Sequence, residues 1–376
     1  MHHAMLKKLF LSIIIAAVAI ATAGCGGDEP SKSSTRRTVL VYMVAANSLG
    51  AAGHDYADIA EMQEGVKKGM NDCRLLVYHN SMDEAPVLKE ITPSGVKVLA
   101  EYSDGEYSTS MSRMNEVIAD AKRMAPANDY GLILWSHASA WVEPTIDAEG
   151  KTKSFGSDRN REMSIPNLAK TLKGKGFSFI YFDCCYMANV ESVYELRNTA
   201  DYIAGSTIEL PADGMPYDQN IPLFFEDTPN LKKACENTFN YYNSLDTQIR
   251  RTCTMSLIAT SKLPALAEVC RRIYALRTPL SEDFDPQRFQ TGDKPCLFDL
   301  AQYMHALDAG GNNSMALVNA LYDTVLYEAH TKSIWAAIDI FENCGLSCYI
   351  INPADGVAYR GYNDLQWWTD VASAAY

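Results

Sequence analysis

The sequence predicts an α/β protein with a mainly parallel sheet between two layers of helices, followed by a largely helical C-terminal part. Three observations support this fold class. Short runs of β-branched and aromatic residues alternate with segments of helical period over the first half of the chain. These runs are apolar throughout, as in parallel strands that are buried on both faces. After residue 220 most of the apolar pattern has helical period.

From residue 38 onward the elements can be assigned in order. In the first part, apolar runs predict strands at residues 38–45, 74–79, 130–137, 177–182 and 200–206, with short strands within residues 87–102. Helical periodicity predicts helices at residues 56–68, 110–124 and 187–196. In the second part we expect helices at residues 230–245, 263–276, 298–307 and 315–327, and strands at residues 255–259 and 346–351.

The composition is that of an acidic globular chain. Of the 376 residues, 47% are apolar and 21% are charged, which is enough to bury a large core. The formal net charge of −13 argues against nucleic acid as a partner and favours basic partners or substrates. Apart from Cys25, the cysteines are scattered without the spacing of a zinc site, so no metal is expected. A few disulfides remain an open alternative.

The first 37 residues carry export signals and are not expected to join the fold. Lys7 and Lys8 precede an apolar stretch at residues 9–20 that is too short to span a bilayer. Residues 22–25, Thr-Ala-Gly-Cys, resemble a bacterial lipobox, so residues 1–24 are expected to be removed and Cys25 lipidated. A conventional secretory signal is the alternative. Residues 25–37 would then tether the protein to the bacterial cell envelope, at the outer membrane or the cell surface.

The stretch at residues 177–191 carries the main candidate for chemistry. A predicted buried strand ends in Asp183, Cys184 and Cys185, and a predicted helix follows. Ligands of parallel sheets bind at the carboxyl ends of strands, and a helix N-terminus lowers the pKa of a thiol. Strand alternation places Asp183 and Cys185 on one side of the sheet and Cys184 on the other. Cys185 is therefore the candidate nucleophile, although a buried structural cysteine is the alternative.

A second predicted strand ends at His137. Histidine and cysteine at the ends of neighbouring parallel strands can form a thiol–imidazole pair without being close in sequence. The other histidines outside the N-terminal segment, at positions 54, 79, 305 and 330, have no matching partner in the sequence and are expected in surface or helix roles. A polar loop at residues 143–162 follows His137, and loops of this length are usually functional or mobile.

Several separated motifs resemble the clostripain family of cysteine peptidases, which has the caspase-like fold. The family pattern Asp-Ala-Cys-Leu-Met-Ala-x-x-Glu is matched by Asp-Cys-Cys-Tyr-Met-Ala-Asn-Val-Glu at residues 183–191. The pattern Trp-Ser-His-Gly-x-Gly-Trp is matched by Trp-Ser-His-Ala-Ser-Ala-Trp at residues 135–141. Further landmarks are similar at residues 41–49, 154–158, 163–166 and 345–349. The resemblance implies a catalytic region at residues 38–220 and a C-terminal subdomain at residues 221–376 that completes the fold.

The resemblance also implies roles for the matched residues. Cys185 would be the nucleophile and His137 the general base and acid, with the backbone N–H groups of Cys185 and Ala138 holding the oxyanion. Ala138 and Ala140 stand where the family has glycine, and at Ala138 the alanine would lose freedom at positive φ. A degenerate peptidase that serves as a surface-binding lipoprotein and a non-peptidase thiol hydrolase are the alternatives.

The family cleaves protein or peptide substrates after Arg or Lys, which implies an acidic pocket. Asp183, on the same side as Cys185, is expected to pair with the basic side chain. Residues 209–217 resemble the loop that lies beside this pocket in the family, so Asp213 is expected to be a second wall residue. An Asp-Gly turn is the alternative for Asp213. Two carboxylates would favour the planar guanidinium of Arg over Lys.

Members of the family are often zymogens that are cut between the His and Cys strands. The polar loop offers Lys151, Lys153, Arg159 and Arg161, of which the two lysines are the expected self-cleavage sites. In the uncut chain a basic loop residue would occupy the acidic pocket and block it. Some relatives use calcium, but the sequence has no EF-hand-like loop, so no cofactor is expected.

Overall fold

A nine-stranded sheet organises the computed structural model, which describes residues 33–141, 154–292, 295–350 and 361–376. The strands of this sheet are β1 (Arg37–Val44), β2 (Cys73–Asn80), β3 (Val87–Thr92), β4 (Gly95–Glu101), β5 (Asp129–Trp135), β8 (Phe177–Asp183), β9 (Ala200–Gly205), β10 (Thr254–Ala259) and β12 (Val325–His330). Their order across the sheet is β12-β10-β9-β8-β5-β1-β2-β3-β4. The five strands from β9 to β2 run parallel, and antiparallel strands extend both edges.

Three small pairs of strands lie outside this sheet. They are β6 (Phe155–Asp158) with β7 (Arg161–Met163), β11 (Leu297–Asp299) with β15 (Ser347–Tyr349), and β13 (Ser333–Ile334) with β14 (Ile338–Asp339). The α-helices are α1 (Ser48–Ala51), α2 (His54–Lys67), α3 (Met111–Met124), α4 (Ile165–Leu172), α5 (Val190–Glu195), α6 (Tyr217–Phe224), α7 (Leu231–Asn243), α8 (Leu263–Tyr274), α9 (Leu300–Leu307), α10 (Ser314–Thr324) and α11 (Gln366–Asp370).

The core lies on both faces of the sheet because successive strand side chains point to opposite sides. On one face, strand residues such as Val41 and Tyr181 pack with α2, α6 and α7. On the other face, residues such as Tyr42 and Phe182 pack with α3, α4, α5 and α8. The fold class predicted from the sequence is confirmed: a mainly parallel sheet lies between helices. The sheet contains strands from both parts of the chain, because β10 and β12 lie after residue 220.

The helix expected at residues 187–196 starts later than predicted. It begins at Val190, because the preceding backbone N–H groups donate to carbonyls of residues 206–208 and not to the helix. Cys185 therefore lies in a loop five residues before the helix. The expectation that a helix N-terminus acts on its thiol is wrong for this structure.

The second part of the chain departs from the prediction at two places. The helix expected at residues 315–327 ends at Thr324, and residues Val325–His330 form β12 beside β10. The helix expected at residues 298–307 begins at Leu300, because the residues before it pair with β15. In both cases an apolar stretch fits either structure locally, and a strand from elsewhere in the chain decides the outcome.

Three further properties bear on the predicted role of the chain. The nine cysteines of the described residues are free thiols. Within the same residues, no group of His, Cys, Asp and Glu side chains is arranged to hold a metal ion. No helix that the structure describes is long and apolar enough to cross a membrane.

Candidate active site

His137 and Cys185 are brought together by the register of two neighbouring strands. β5 and β8 are parallel, and Trp135 at the end of one pairs with Asp183 at the end of the other. His137 and Cys185 each follow this pair by two residues. Both side chains line a cavity of about 280 Å³, which also contacts Asp183 and is called here the Asp183 cavity.

The backbone around His137 is held by the β6 segment. The carbonyl of His137 accepts the N–H of Gly156 at 2.9 Å, and the N–H of Ser139 donates to the carbonyl of Ser154 at 3.1 Å. Just before His137, the buried hydroxyl of Ser136 donates to the carbonyl of Val44 at 2.7 Å. The end of the polar loop predicted at residues 143–162 is thus an ordered hairpin that supports the candidate base.

Ser48 contacts the imidazole directly. Its Oγ lies 2.8 Å from Nε2 of His137, at the first residue of α1. The preceding residue, Asn47, fixes this turn because its side-chain amide donates to the carbonyls of Val44 at 2.8 Å and Ser157 at 2.7 Å. Ser48 lies about 90 residues from His137 in the chain, and no local pattern of the sequence links the two residues.

The loop that carries Cys185 is shaped by the segment after β9. The N–H of Tyr186 donates to the carbonyl of Ile208 at 3.0 Å, and Tyr186 itself has a φ of 63°. A tyrosine in this left-handed region is strained, at a cost of about 1–2 kcal/mol. The strain is retained because the surrounding hydrogen bonds fix the loop, which turns the thiol of Cys185 toward the Asp183 cavity.

The two neighbouring cysteines have different surroundings, as strand alternation predicts. Cys184 is buried in the core, and its Sγ donates to the carbonyl of Leu134 at 2.9 Å. Cys185 is half-buried, with its Sγ 3.7 Å from the carbonyl of Leu210. Burial raises the pKa of Cys185 to about 12, and the carboxylates of Glu209 and Asp183 add to the rise. The thiol is therefore protonated in this structure and needs a base to become a nucleophile.

The backbone near the expected oxyanion site differs from the prediction in one respect. The hydrogen bonds that flank Ala138 are made by the carbonyl of His137 and the N–H of Ser139. The N–H of Ala138 takes no part in this pairing. Ala138 is not among the described residues with positive φ, whereas Ala140 has a φ of 62°. The conformational cost of alanine in place of glycine therefore falls on Ala140, and the expected loss at Ala138 is wrong.

Asp183 forms the floor of the Asp183 cavity. Its Oδ2 accepts the hydroxyl of Tyr217 at 2.9 Å and the N–H of Met215 at 3.2 Å. Burial raises the pKa of Asp183 to about 6, and these two hydrogen bonds oppose the rise. A carboxylate in such surroundings favours a cation that can pair with it.

Asp213 lies outside this floor. Its neighbours Ala212 and Gly214 line the Asp183 cavity, but its own side chain is 44% exposed and lies 3.7 Å from a guanidinium nitrogen of Arg250. The structure therefore brings Asp183 to the cavity and leaves Asp213 at the surface, in the Asp-Gly turn that was the alternative.

Other residues at the cavity were missed by sequence reasoning. The carboxylate of Glu209 accepts the indole N–H of Trp335 at 2.9 Å, and both side chains line the cavity. Asp58 lies behind Gly214, and its Oδ2 accepts the indole N–H of Trp135 at 2.6 Å. The only sequence signal for Asp58 is an acid on the apolar face of α2, a face that is otherwise buried against the sheet.

Residues expected at processing and anchoring sites fall into two groups. Lys151, Lys153 and Cys25 lie outside the described residues. Arg159 and Arg161 lie at the turn and in the second strand of the β6–β7 hairpin, where Arg159 contacts Asp158 at 2.8 Å. A peptidase needs an extended, accessible chain, so this hairpin is a poor place for cleavage.

A second cavity adjoins the first across the candidate catalytic residues. It has a volume of about 430 Å³, and Glu162 and Ser139 line it together with His137 and Cys185. We call it the Glu162 cavity. A peptide bound across His137 and Cys185 can therefore place side chains in a cavity on each side of these two residues. This arrangement is suited to an extended peptide.

Known proteins resemble this chain in sequence and in fold. The model of the clostripain family matches residues 41–336. The chain is 28% identical to an inactive zymogen C11 protease from Parabacteroides distasonis, with a TM-score of 0.78 over 91% of this chain and 99% of that one. It is 27% identical to a secreted C11 cysteine protease from Bacteroides thetaiotaomicron, solved with an irreversible peptide inhibitor, with a TM-score of 0.74 over 90% of this chain and 98% of that one. No curated protein is similar enough to count as a match.

Proposed function

This chain is a cysteine peptidase of the clostripain family, and we propose that it uses Cys185 and His137 to cleave peptide bonds after Arg or Lys. One observation carries the proposal. The paired ends of β5 and β8 bring a thiol and an imidazole to a single cavity whose floor is the buried carboxylate of Asp183. A basic side chain bound there would place its own carbonyl carbon near the sulfur.

The reaction follows from the chemistry of these groups. His137 takes the proton of Cys185, which has a raised pKa and is otherwise a weak nucleophile. The thiolate attacks the carbonyl carbon, and the backbone N–H groups of Cys185 and Ala138 stabilise the oxyanion. His137 then gives its proton to the leaving amine, and a water molecule activated by His137 hydrolyses the thioester.

Self-processing belongs to the same proposal. Lys151 and Lys153 are the proposed cleavage sites, because Arg159 and Arg161 belong to a hydrogen-bonded hairpin. The zymogen state of the relative from Parabacteroides distasonis supports a resting form.

The test of the proposal compares the two adjacent cysteines. Cys185→Ala should abolish hydrolysis of an Arg-ending fluorogenic peptide, and His137→Ala should lower it by orders of magnitude. Cys184→Ala is the matched control and should retain substantial activity. An Arg-directed, thiol-reactive inhibitor should label Cys185 alone. A wild-type chain that neither cleaves such peptides nor takes the label would instead be a binding lipoprotein or another thiol hydrolase.

We further propose that the protein is anchored to the bacterial cell envelope by a lipid on Cys25. The support is the sequence Thr-Ala-Gly-Cys after a short apolar stretch. Wild-type protein should incorporate a labelled fatty acid and partition with membranes, and Cys25→Ser should do neither. Soluble, unlabelled wild-type protein would contradict the anchor without affecting the proposed peptidase activity.

A further inference from the structure

A second buried carboxylate lies next to Asp183. A Cβ atom placed on Gly214 would lie 2.9 Å from Oδ2 of Asp183 and 3.1 Å from Oδ2 of Asp58. The two oxygens therefore lie within 6.0 Å of each other, which is the sum of these distances. Gly214 itself lines the Asp183 cavity, and both carboxylates lie close to this glycine. Asp58 is 3% exposed and Asp183 is 7% exposed.

We propose that Asp58 is a specificity-determining residue of the Asp183 cavity, and that it loses a proton to solvent when a basic side chain enters. This inference rests on the proposed preference for Arg or Lys. Before binding, Asp183 is ionised and Asp58 is protonated, so the pair carries one negative charge. After binding, two carboxylates and one cation give the same total. The buried charge is unchanged, which avoids the cost of an uncompensated ion.

The groups that face Asp58 favour its protonated form. Asp183 on β8, Glu61 on α2 and Asp213 in the loop before α6 are all acidic, and the hydroxyl of Tyr217 on α6 is bonded to Asp183. Burial and then Asp183 raise the pKa of Asp58, against the effect of the indole N–H of Trp135. From α7, Tyr242 donates to the carbonyl of Gly214 at 2.6 Å and brings no charge.

The geometry also explains how two acids can act on one bound cation. Tyr217 and Met215 both donate to Oδ2 of Asp183, and Trp135 donates to Oδ2 of Asp58. Each acid is therefore held through one oxygen by fixed donors. The other oxygen of Asp183, which lines the cavity, can accept an N–H of the substrate, and the charge of the nearby Asp58 acts on the same cation at short range. In this proposal Asp58, and not Asp213, is the second acid of the cavity.

The test measures selectivity as a function of pH. The processed enzyme is assayed between pH 7.5 and 9.5, above the pKa of Asp183 of about 6, with a fluorogenic peptide ending in Arg and with its neutral citrulline analogue. Ionisation of Cys185 and His137 affects both substrates, so the ratio of the two kcat/KM values reports the pocket alone. For the wild type we expect this ratio to rise with pH. In Asp58→Asn the ratio should be at least about tenfold lower at pH 9 and should lose its dependence on pH.

Asp55→Asn is the matched control, because it removes another buried acid from α2. Asp55 contacts His79 at 2.7 Å and has no part in the cavity, so the pH dependence of the ratio should remain. An unchanged ratio in Asp58→Asn would overturn the inference and leave the proposed function intact. A wild type that cleaves neither Arg nor Lys peptides would refute the proposed function, and this inference with it.

If Asp58→Asn does not fold, proton release can be counted directly. Nα-acetyl-arginine amide is titrated into the self-processed enzyme, with Cys185 capped by methyl methanethiosulfonate, in two buffers of different ionisation enthalpy at pH 7.5. Binding should release about one proton. Release of none would overturn the inference.

Discussion

Oγ of Ser48 lies 2.8 Å from Nε2 of His137, so the candidate base is held from the start of α1 as well as by its own strand. A thiol with a raised pKa depends on a well-placed base, because little thiolate forms without one. Ser48 is therefore a positioning residue for His137. It acts through the imidazole and not on the substrate.

Ser48→Ala should lower kcat for an Arg peptide by about 2- to 10-fold with little change in KM, the scale of one hydrogen bond. Ser48→Thr keeps the hydroxyl and should restore most of the rate. Ser178→Ala is the control, because its hydroxyl contacts the carbonyl of Tyr130 at the far end of β8. A faster Ser48→Ala enzyme would mean that Ser48 restrains His137 and does not position it.

The two acids named from the sequence should differ sharply in their effect. Asp183→Asn removes the buried charge at the cavity floor. For Arg peptides, the resulting fall in kcat/KM should correspond to a loss of about 2–4 kcal/mol of transition-state stabilisation. Asp213→Asn removes an exposed partner of Arg250, and the loss of transition-state stabilisation for the same peptides should be less than about 1 kcal/mol. Labelling of Cys185 by a small uncharged alkylator should change little in either variant, which separates recognition from thiol chemistry.

The same pair of variants tests self-processing. Asp183→Asn should accumulate as an uncut chain, because Lys151 and Lys153 would be read by the same cavity. Asp213→Asn should be cut almost normally. If Asp183→Asn cleaved itself and Arg peptides like the wild type, the acid would have no role in selectivity.

The parts of the site that could be predicted from the sequence are those that follow one strand. Asp183, Cys184 and Cys185 are consecutive, so alternation alone separates the core cysteine from the cavity-lining pair. Asp58 lies close to Gly214 of the same cavity, on a helix more than 100 residues before Asp183, and no local pattern links the two acids. The predicted start of α5 is wrong for the same reason, because hydrogen bonds to residues 206–208 hold the backbone before Val190 outside the helix.

Replacement by glycine should change the stability of the protein differently at Ala140 and at Ala138. Ala140 is fully buried with a φ of 62°, where glycine avoids a strain of about 1 kcal/mol. That gain offsets the loss of a buried methyl and the greater freedom of glycine in the unfolded chain. Ala138 has no such strain to relieve. Ala140→Gly should thus be about 1 kcal/mol more stable than Ala138→Gly in urea unfolding, and the reverse order would contradict the backbone assignment.

Glu191 should make stability depend on pH. It is fully buried on α5, just after the Cys185 loop, and its Oε1 accepts the N–H of Tyr349 at 2.8 Å. Burial raises the pKa of Glu191 from 4.5 to about 7, against the effect of that hydrogen bond. The folded chain therefore keeps a proton that the unfolded chain loses between these two values. Stability should fall as pH rises through this window and level off above it.

Glu191→Gln carries no titrating proton and keeps an oxygen for the N–H of Tyr349. Both forms are unfolded with urea in a Cys185→Ala background, so that self-cleavage does not interfere. The free energy of unfolding of the parent, minus that of the variant, should fall by about 3 kcal/mol between pH 4.5 and 8. Asp58 and Asp183 titrate in both chains and cancel in this difference. A difference that stays constant over this range would show that the pKa of Glu191 is the same in the folded and unfolded chains.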